Sequence, residues 1–247
     1  MAVQIAWGIT GAGHFLKETF DVMGKVAELK KVKVTAYVSS AGIDVVKMYG
    51  FWDKLRLISP GKYLQEVFVE VEEGPSAPHA GRINRKIYKA LIVSPASGNT
   101  VAKVVHGIAD TIVTNAVAQA QKGEVPVYIV PSDQHEGFAE TALPYRVERS
   151  ECKLCRPCLV VSACPYSAVE IIDGFPSIRS MLCQGCGLCI ASCPYGAVKY
   201  GEKIRLRLRK VDVDNLEKLR EMDGITVLDN PQQIEKIVEK VIGNLTL

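Results

Sequence analysis

ALIVSPASGNTVAK, residues 90–103, decides how the first half of this 247-residue chain is built. An apolar run ends at Ser94–Pro95, where the proline stiffens the exit. Small and polar residues follow, and then Val101, Val104, Val105, Ile108 and Ile112 recur at helical spacing. A strand that ends in a polar turn and restarts as a helix is half of a strand–helix–strand unit. Ser97 and Asn99 offer hydrogen-bonding side chains in the turn, and Asn99 or Thr100 is placed to cap the helix.

The same pattern recurs on either side. VQIAWGIT (3–10), VKVTAYVSS (32–40) and VPVYIVPS (125–132) read as strands, and Leu16, Phe20, Met23 and Ala27 share one helical face. Such alternation predicts an α/β fold, a Rossmann-like parallel sheet with helices on both faces and ligands at the carboxyl ends of the strands. The first of those ends is GITGAGH (8–14), whose small residues let backbone N–H groups approach a phosphate at the start of the next helix. It is not G-x-G-x-x-G, and a glycine turn needed only for packing is the competing reading. The second strand ends in Ser39 and Ser40 where a dinucleotide site wants an acid for the ribose. Hydroxyls suit a terminal monophosphate, which points to a mononucleotide such as FMN over NAD.

All eight cysteines lie between Cys152 and Cys193. A disulfide framework would spread them through the fold, so bound metal is the better reading. Cys183, Cys186, Cys189 and Cys193, followed by Pro194, match the bacterial ferredoxin run C-x2-C-x2-C-x3-C-P, in which the fourth cysteine ligates the other cluster. One [4Fe–4S] cluster is therefore assigned to Cys152, Cys155, Cys158 and Cys193, and a second to Cys183, Cys186, Cys189 and Cys164. The first motif carries LVVSA between Cys158 and Cys164, longer than the usual three residues, and the extra length is expected to bulge outward. CPYSAVEI and CPYGAVKY form an internal repeat, as a small α+β two-cluster ferredoxin module requires. Two structural zincs are the bland alternative.

After the cysteines, KIRLRLRKV alternates basic and apolar residues, the mark of a half-exposed strand or linker. Ile225 to Asp229 reads as one more strand. Pro231 then precedes Ile234, Ile237, Val238 and Val241 on one helical face. Such a face needs a surface to cover, so residues 204–247 are expected to return to the domain of residues 1–145, the alternative being a separate extension docked on the cysteine module. The ferredoxin module, 146–203, becomes an insertion. A net charge of +3 is too small to argue for nucleic acid. No apolar run reaches the roughly 18–20 residues of a membrane helix. The first residues lack the pattern of a secretory signal, so a cytoplasmic protein with no membrane partner is expected.

PASGNTVAK followed by GIAD resembles the homo-oligomeric flavin-containing Cys decarboxylase-like family, which includes phosphopantothenoylcysteine decarboxylases and flavin prenyltransferases. The resemblance implies that Thr10, Gly11, Gly13 and Ser39 hold the FMN phosphate, with Ala96, Ser97 and Asn99 against the flavin. It also implies homo-oligomers based on trimers and grouped into larger shells. Two features depart from the decarboxylases: the nearest histidine, His79, is awkwardly spaced from Pro95, and the clamp position reads PSDQHEG without Met or Asn.

AWGITGAGHFL, SPASGNTVAKVVHGIADT and the cysteine block together resemble the archaeal dihydromethanopterin reductases (acceptor). That implies electrons from a donor such as a reduced ferredoxin passing through two clusters to FMN, and reduction of dihydromethanopterin to tetrahydromethanopterin. Asp133, Gln134 and His135, on the loop after VPVYIVP, are candidates to face the pterin, with His135 as general acid, against the competing reading of a plain polar surface loop. The alternative is an electron carrier serving protein partners with no small substrate.

Overall fold

The computed structural model describes residues 2–29, 31–74 and 76–243. The chain opens with β1 (Val3–Ile9), α1 (Leu16–Glu28), β2 (Val32–Val38), α2 (Ser40–Met48), α3 (Trp52–Ile58) and β3 (Val67–Val69). Then come β4 (Ala90–Ala96), α4 (Gly98–Val105), α5 (Ile112–Lys122) and β5 (Val127–Pro131). β1 lies between β2 and β4, and every one of these pairings is parallel. All of β4 is buried, as expected of a parallel strand covered on both faces. The polar atoms this burial would orphan are paired: the Trp7 indole donates to the Ser94 carbonyl at 3.1 Å, and the Ser94 and Thr19 hydroxyls meet at 2.7 Å.

Two local expectations are corrected. The apolar stripe from Val101 onward is not one helix. Its first part stops at Val105, Gly107 turns with a φ of 69°, and Ile108 is left exposed. Thr111 then starts α5 with a reciprocal capping box to Thr114, a stronger start signal than the apolar spacing that runs through it. The cap of α4 is Ser97, whose Oγ accepts from the Thr100 N–H, and neither Asn99 nor Thr100.

After β5 the chain leaves the sheet through β6 (Phe138–Ala142) and β7 (Arg146–Val147). The cysteine module follows as α6 (Leu159–Ala163), the hairpin of β8 (Val169–Ile172) and β9 (Phe175–Ile178), α7 (Leu188–Ser192) and β10 (Val198–Lys199). The way back is β11 (Lys203–Arg207), antiparallel to β6, while β10 pairs with β7. KIRLRLRKV is thus largely the returning strand of a ribbon, with the Arg205 guanidinium over the Phe138 ring at 4.8 Å. The five residues LVVSA do not bulge outward. They wind into α6, because Val160 can then bury itself in the small core with Val169 and Val198. The sequence repeat is also a structural one. Ala168 and Ala197 are buried alike, and Ser167 and Gly196 both take positive φ before them.

The chain then forms α8 (Lys210–Arg220), β12 (Ile225–Val227) and α9 (Gln233–Gly243). β12 pairs parallel with β5, Ile225 opposite Val127, which completes a six-stranded sheet in the order β12–β5–β4–β1–β2–β3. One face is covered by α1 to α3 and α9, where Ile234 and Val238 join Trp7, Phe20 and Met23 in one core. The other is covered by α4, α5 and α8, with Leu216 and Leu219 packed among Leu91, Val101 and Val113. Among the described residues, no helix is long and apolar enough to cross a membrane.

Candidate functional site

Three loops meet at the carboxyl edge of the sheet. Gly11 approaches α2 so closely that a Cβ would lie 2.6 Å from that of Ala41, and one on Gly42 would lie 2.6 Å from the Ile9 carbonyl. These glycines are required by backbone contact, whatever else they do. The contact brings the loop of residues 10–13 beside Ser39, whose Oγ caps α2 by accepting from the Gly42 N–H at 3.0 Å. Thr10 ties the same loop to β4: its hydroxyl donates to the Pro95 carbonyl and accepts from the Ser97 N–H, both at 2.8 Å. Thr10, Gly11, Gly13, Ser39, Ala96 and Ser97 are therefore brought to one edge. Asn99 is next to them on the first turn of α4, with its side chain exposed.

α1, which follows this loop, begins at Phe15 with a left-handed backbone and no side-chain cap. Its first N–H groups are not claimed by a capping side chain, and the dipole there favours an anion. The Ser39 hydroxyl, whose hydrogen is uncommitted, the amides that follow Leu16 in the first turn of α1 and a closely packed glycine loop fit the phosphate end of a flavin mononucleotide; both Thr10 donors go to the Pro95 carbonyl, so Thr10 shapes the loop.

The polar loop after β5 is occupied with its own structure. Asp133 accepts from the Gly98 N–H and from the Ser132 hydroxyl, and the Gln134 amide donates to the Pro131 carbonyl. His135 is exposed, with Nε2 3.3 Å from the Phe138 carbonyl. His79 lies beyond β3, its Nδ1 2.7 Å from Glu73 and its ring stacked on Phe68.

The eight thiols divide between two cavities. One, of about 580 Å³, is lined by Cys152, Cys155, Cys158 and Cys193 with apolar neighbours such as Leu154 and Val198. A smaller one is lined by Cys183, Cys186, Cys189 and Cys164, with Tyr145 and Ile178. Each set takes three cysteines from one motif and the fourth from the other. Backbone N–H groups already point at sulfur around the second: Ala168 to Cys164 at 3.3 Å and Gly185 to Cys183 at 3.4 Å. Four soft ligands in an apolar wall, with amide donors to sulfur, fit a cubane iron–sulfur cluster. Burial pushes the free thiols of Cys183 and Cys189 above their ordinary pKa.

The loop that carries two thiols of the second cavity touches the sheet domain. Gly185, between Cys183 and Cys186, touches Gly50 just after α2, backbone to backbone. A Cβ on Gly185 would sit 2.2 Å from the Gly50 nitrogen, and both residues have positive φ. Beside this contact Tyr145 stacks on Tyr200 at 4.3 Å, and Tyr200 meets Tyr49 edge-on at 6.4 Å. The Tyr200 hydroxyl donates to the Tyr49 carbonyl at 3.2 Å. The Tyr49 hydroxyl donates to the Ala142 carbonyl and lies 2.9 Å from where a Cβ on Gly13 would stand. None of these residues carries a sequence signal of its own, since each matters only through a partner far along the chain.

Residues 2–143 match the flavoprotein family, and residues 176–199 match a 4Fe-4S binding domain. The latter covers the second cysteine motif and leaves the first, with its longer spacing, outside. A dihydromethanopterin reductase (acceptor) of Methanosarcina mazei is 45% identical over 94% of this chain and 97% of its own. The protein of the same name from Methanocaldococcus jannaschii is 47% identical over 94% of each chain. The chain belongs to the dihydromethanopterin reductase (acceptor) family. Its fold is shared with DmrB of Burkholderia xenovorans, solved in complex with FMN and described as a cubic protein cage for redox transfer. That likeness has a TM-score of 0.60 at 22% identity, over 99% of this chain and 98% of that one.

Proposed function

We propose that this chain is an iron–sulfur flavoprotein oxidoreductase that takes electrons from a donor protein such as a reduced ferredoxin and reduces dihydromethanopterin to tetrahydromethanopterin. The observation that carries the reading is the crossed partition of eight cysteines into two cavities, one of them on the loop that meets the flavin-family domain at Gly185 and Gly50. In this reading Thr10, Gly11, Gly13 and Ser39 hold the phosphate of FMN, and Ala96, Ser97 and Asn99 border its ring. Cys152, Cys155, Cys158 and Cys193 ligate one [4Fe–4S] cluster, and Cys183, Cys186, Cys189 and Cys164 the other. When bound, the clusters supply single electrons and the flavin a hydride; the protein positions and tunes them. His135, exposed at the start of the ribbon, is the proposed proton donor to the pterin.

The domain division supported by the pairing of β12 with β5 is a flavin domain of residues 1–145 and 204–247, interrupted by a ferredoxin module at 146–203. A trimer-based homo-oligomer and a cytoplasmic location complete the proposal.

Anaerobic stopped-flow mixing tests it. The reconstituted protein is reduced, freed of excess reductant and mixed with dihydromethanopterin while flavin and cluster absorbance are followed together. Rapid reoxidation with stoichiometric tetrahydro product is expected. A flavin that stays reduced with the pterin yet drains readily into an oxidised acceptor protein would replace this reading with that of an electron carrier.

A further inference from the structure

We infer that the two cysteine cavities have different places in the electron path: that of Cys164, Cys183, Cys186 and Cys189 is the inner station, joined to the flavin loop through Tyr145, Tyr200 and Tyr49, and that of Cys152, Cys155, Cys158 and Cys193 is the outer one. This rests on the proposed function and adds a direction to it.

The two sequence motifs are near-repeats, and nothing in them ranks one cluster before the other. The packing does. Apart from the ribbon by which the module leaves and returns, the Cys183–Cys186 loop touches the sheet domain backbone to backbone, at Gly185 against Gly50. Only two glycines allow such an approach. Tyr145 lines the same cavity and begins a run of rings that ends with the Tyr49 hydroxyl under Gly13, at the flavin-phosphate loop. Tunnelling decays exponentially with distance and is weakest across empty gaps, so a packed run of rings beside a backbone contact is the favoured crossing. Exposure does not rank the two, since Leu154 and Leu159 of the other cavity are about as exposed as Leu188 and Tyr166 of this one. The other cavity is the outer station because its lining lacks this run of rings and the Gly185 contact, which leaves its open wall to an external one-electron donor protein. With both clusters bound, Cys164, Cys183, Cys186 and Cys189 would hold the group that gives one electron at a time to the flavin and is reoxidised by doing so, and Cys152, Cys155, Cys158 and Cys193 would hold the group that replaces that electron from the one-electron donor.

The test uses the full chain loaded with iron–sulfur clusters and FMN, and reduced methyl viologen as the one-electron donor, so that no pterin enters the measurement. Cys186→Ser is expected to leave an outer cluster that is reduced promptly while the flavin lags by more than an order of magnitude. Cys155→Ser should keep inner cluster and flavin reduced in step. Tyr200→Leu should slow flavin reduction with cluster EPR and flavin content unchanged, and Tyr200→Phe should restore it. Independently of any redox readout, Gly185→Ala should raise hydrogen exchange at residues 49–51. The reverse asymmetry between the cysteine variants, or normal flavin reduction in Cys186→Ser, would overturn the assignment. So would Tyr200→Leu behaving as wild type. A chain that takes up clusters but no flavin overturns the proposed function and this inference together. One that loads both cofactors and transfers electrons to the flavin without distinguishing the cavities overturns this inference alone.

Discussion

Replacing Ile234 by alanine should destabilise a domain whose first five strands all end by Pro131, far earlier in the chain. Ile234 is fully buried on α9, in the same core as Trp7, Phe20 and Met23. Truncating a buried isoleucine costs about 2–5 kcal/mol, because the methyl and methylene groups lose their contacts and the surroundings close only partly. A loss near 3 kcal/mol corresponds to a fall in melting temperature of about 6–12 °C for a domain of this size. The neighbouring Lys25–Glu235 pair at 2.9 Å is largely exposed and adds little to the balance. The assay separates the two parts of the molecule. The chain's two tryptophans, Trp7 and Trp52, both belong to the sheet domain, so fluorescence reports that domain alone, while the visible absorbance of the clusters reports the module. The exposed Lys236→Ala is the control and should stay within about 0.5 kcal/mol of wild type. If Ile234→Ala left the tryptophan transition in place and shifted only cluster loss, the tail would belong to the module and the insertion reading would be wrong.

Cys193→Ser should abolish the centre built on Cys152, Cys155 and Cys158, although those three lie in the other motif, and reduce bound iron by about half; loss of the Cys183 centre instead, read by EPR, would refute the crossed ligation. Thr10→Val keeps the shape but leaves the Ser97 N–H without its acceptor, and should cost about 1–3 kcal/mol in urea unfolding together with weaker FMN retention; unchanged stability would mean water takes the place of the hydroxyl. Burial, more than the hydrogen bond to Tyr88, pushes the Tyr37 phenol far above its ordinary pKa of 10. Above that pH the unfolded chain has lost this proton and the folded one has kept it, so stability should fall with rising pH by up to about 1.4 kcal/mol per unit. Tyr37→Phe should flatten that slope, as measured by urea midpoints on either side of pH 10.

The parallel sheet was legible because its strands are short apolar runs ending in small residues, a pattern that burial on both faces imposes. The grouping of the cysteines around two cavities follows the motif spacing for a different reason, since in such a run the fourth cysteine turns to the other set. Local caps were not legible: Ser97 outcompetes Asn99 because backbone geometry, and not residue type, decides which oxygen faces the free N–H. The helix break at Gly107 was hidden by an apolar spacing that happens to continue across it. The seam between the two parts was the least visible. Gly50 and Gly185 are two unremarkable loop glycines until the fold brings them into contact. Tyr49, Tyr145 and Tyr200 read as ordinary aromatics for the same reason.

The ribbon through which the module leaves and rejoins the sheet has a practical consequence. Phe138 and Arg207 face each other across it, and the Leu208 N–H donates to the Gly137 carbonyl at 2.9 Å. Both ends of everything between are thus held side by side by the host itself. An excursion of this length asks almost no loop-closure entropy from the fold it interrupts. The module is a portable cassette: cut at the ribbon, the host can be closed by a short hairpin turn, and another electron carrier whose ends emerge as paired strands can be spliced into the same socket. A lineage could gain or lose a redox supply in one such exchange, without redesigning the sheet that holds the flavin.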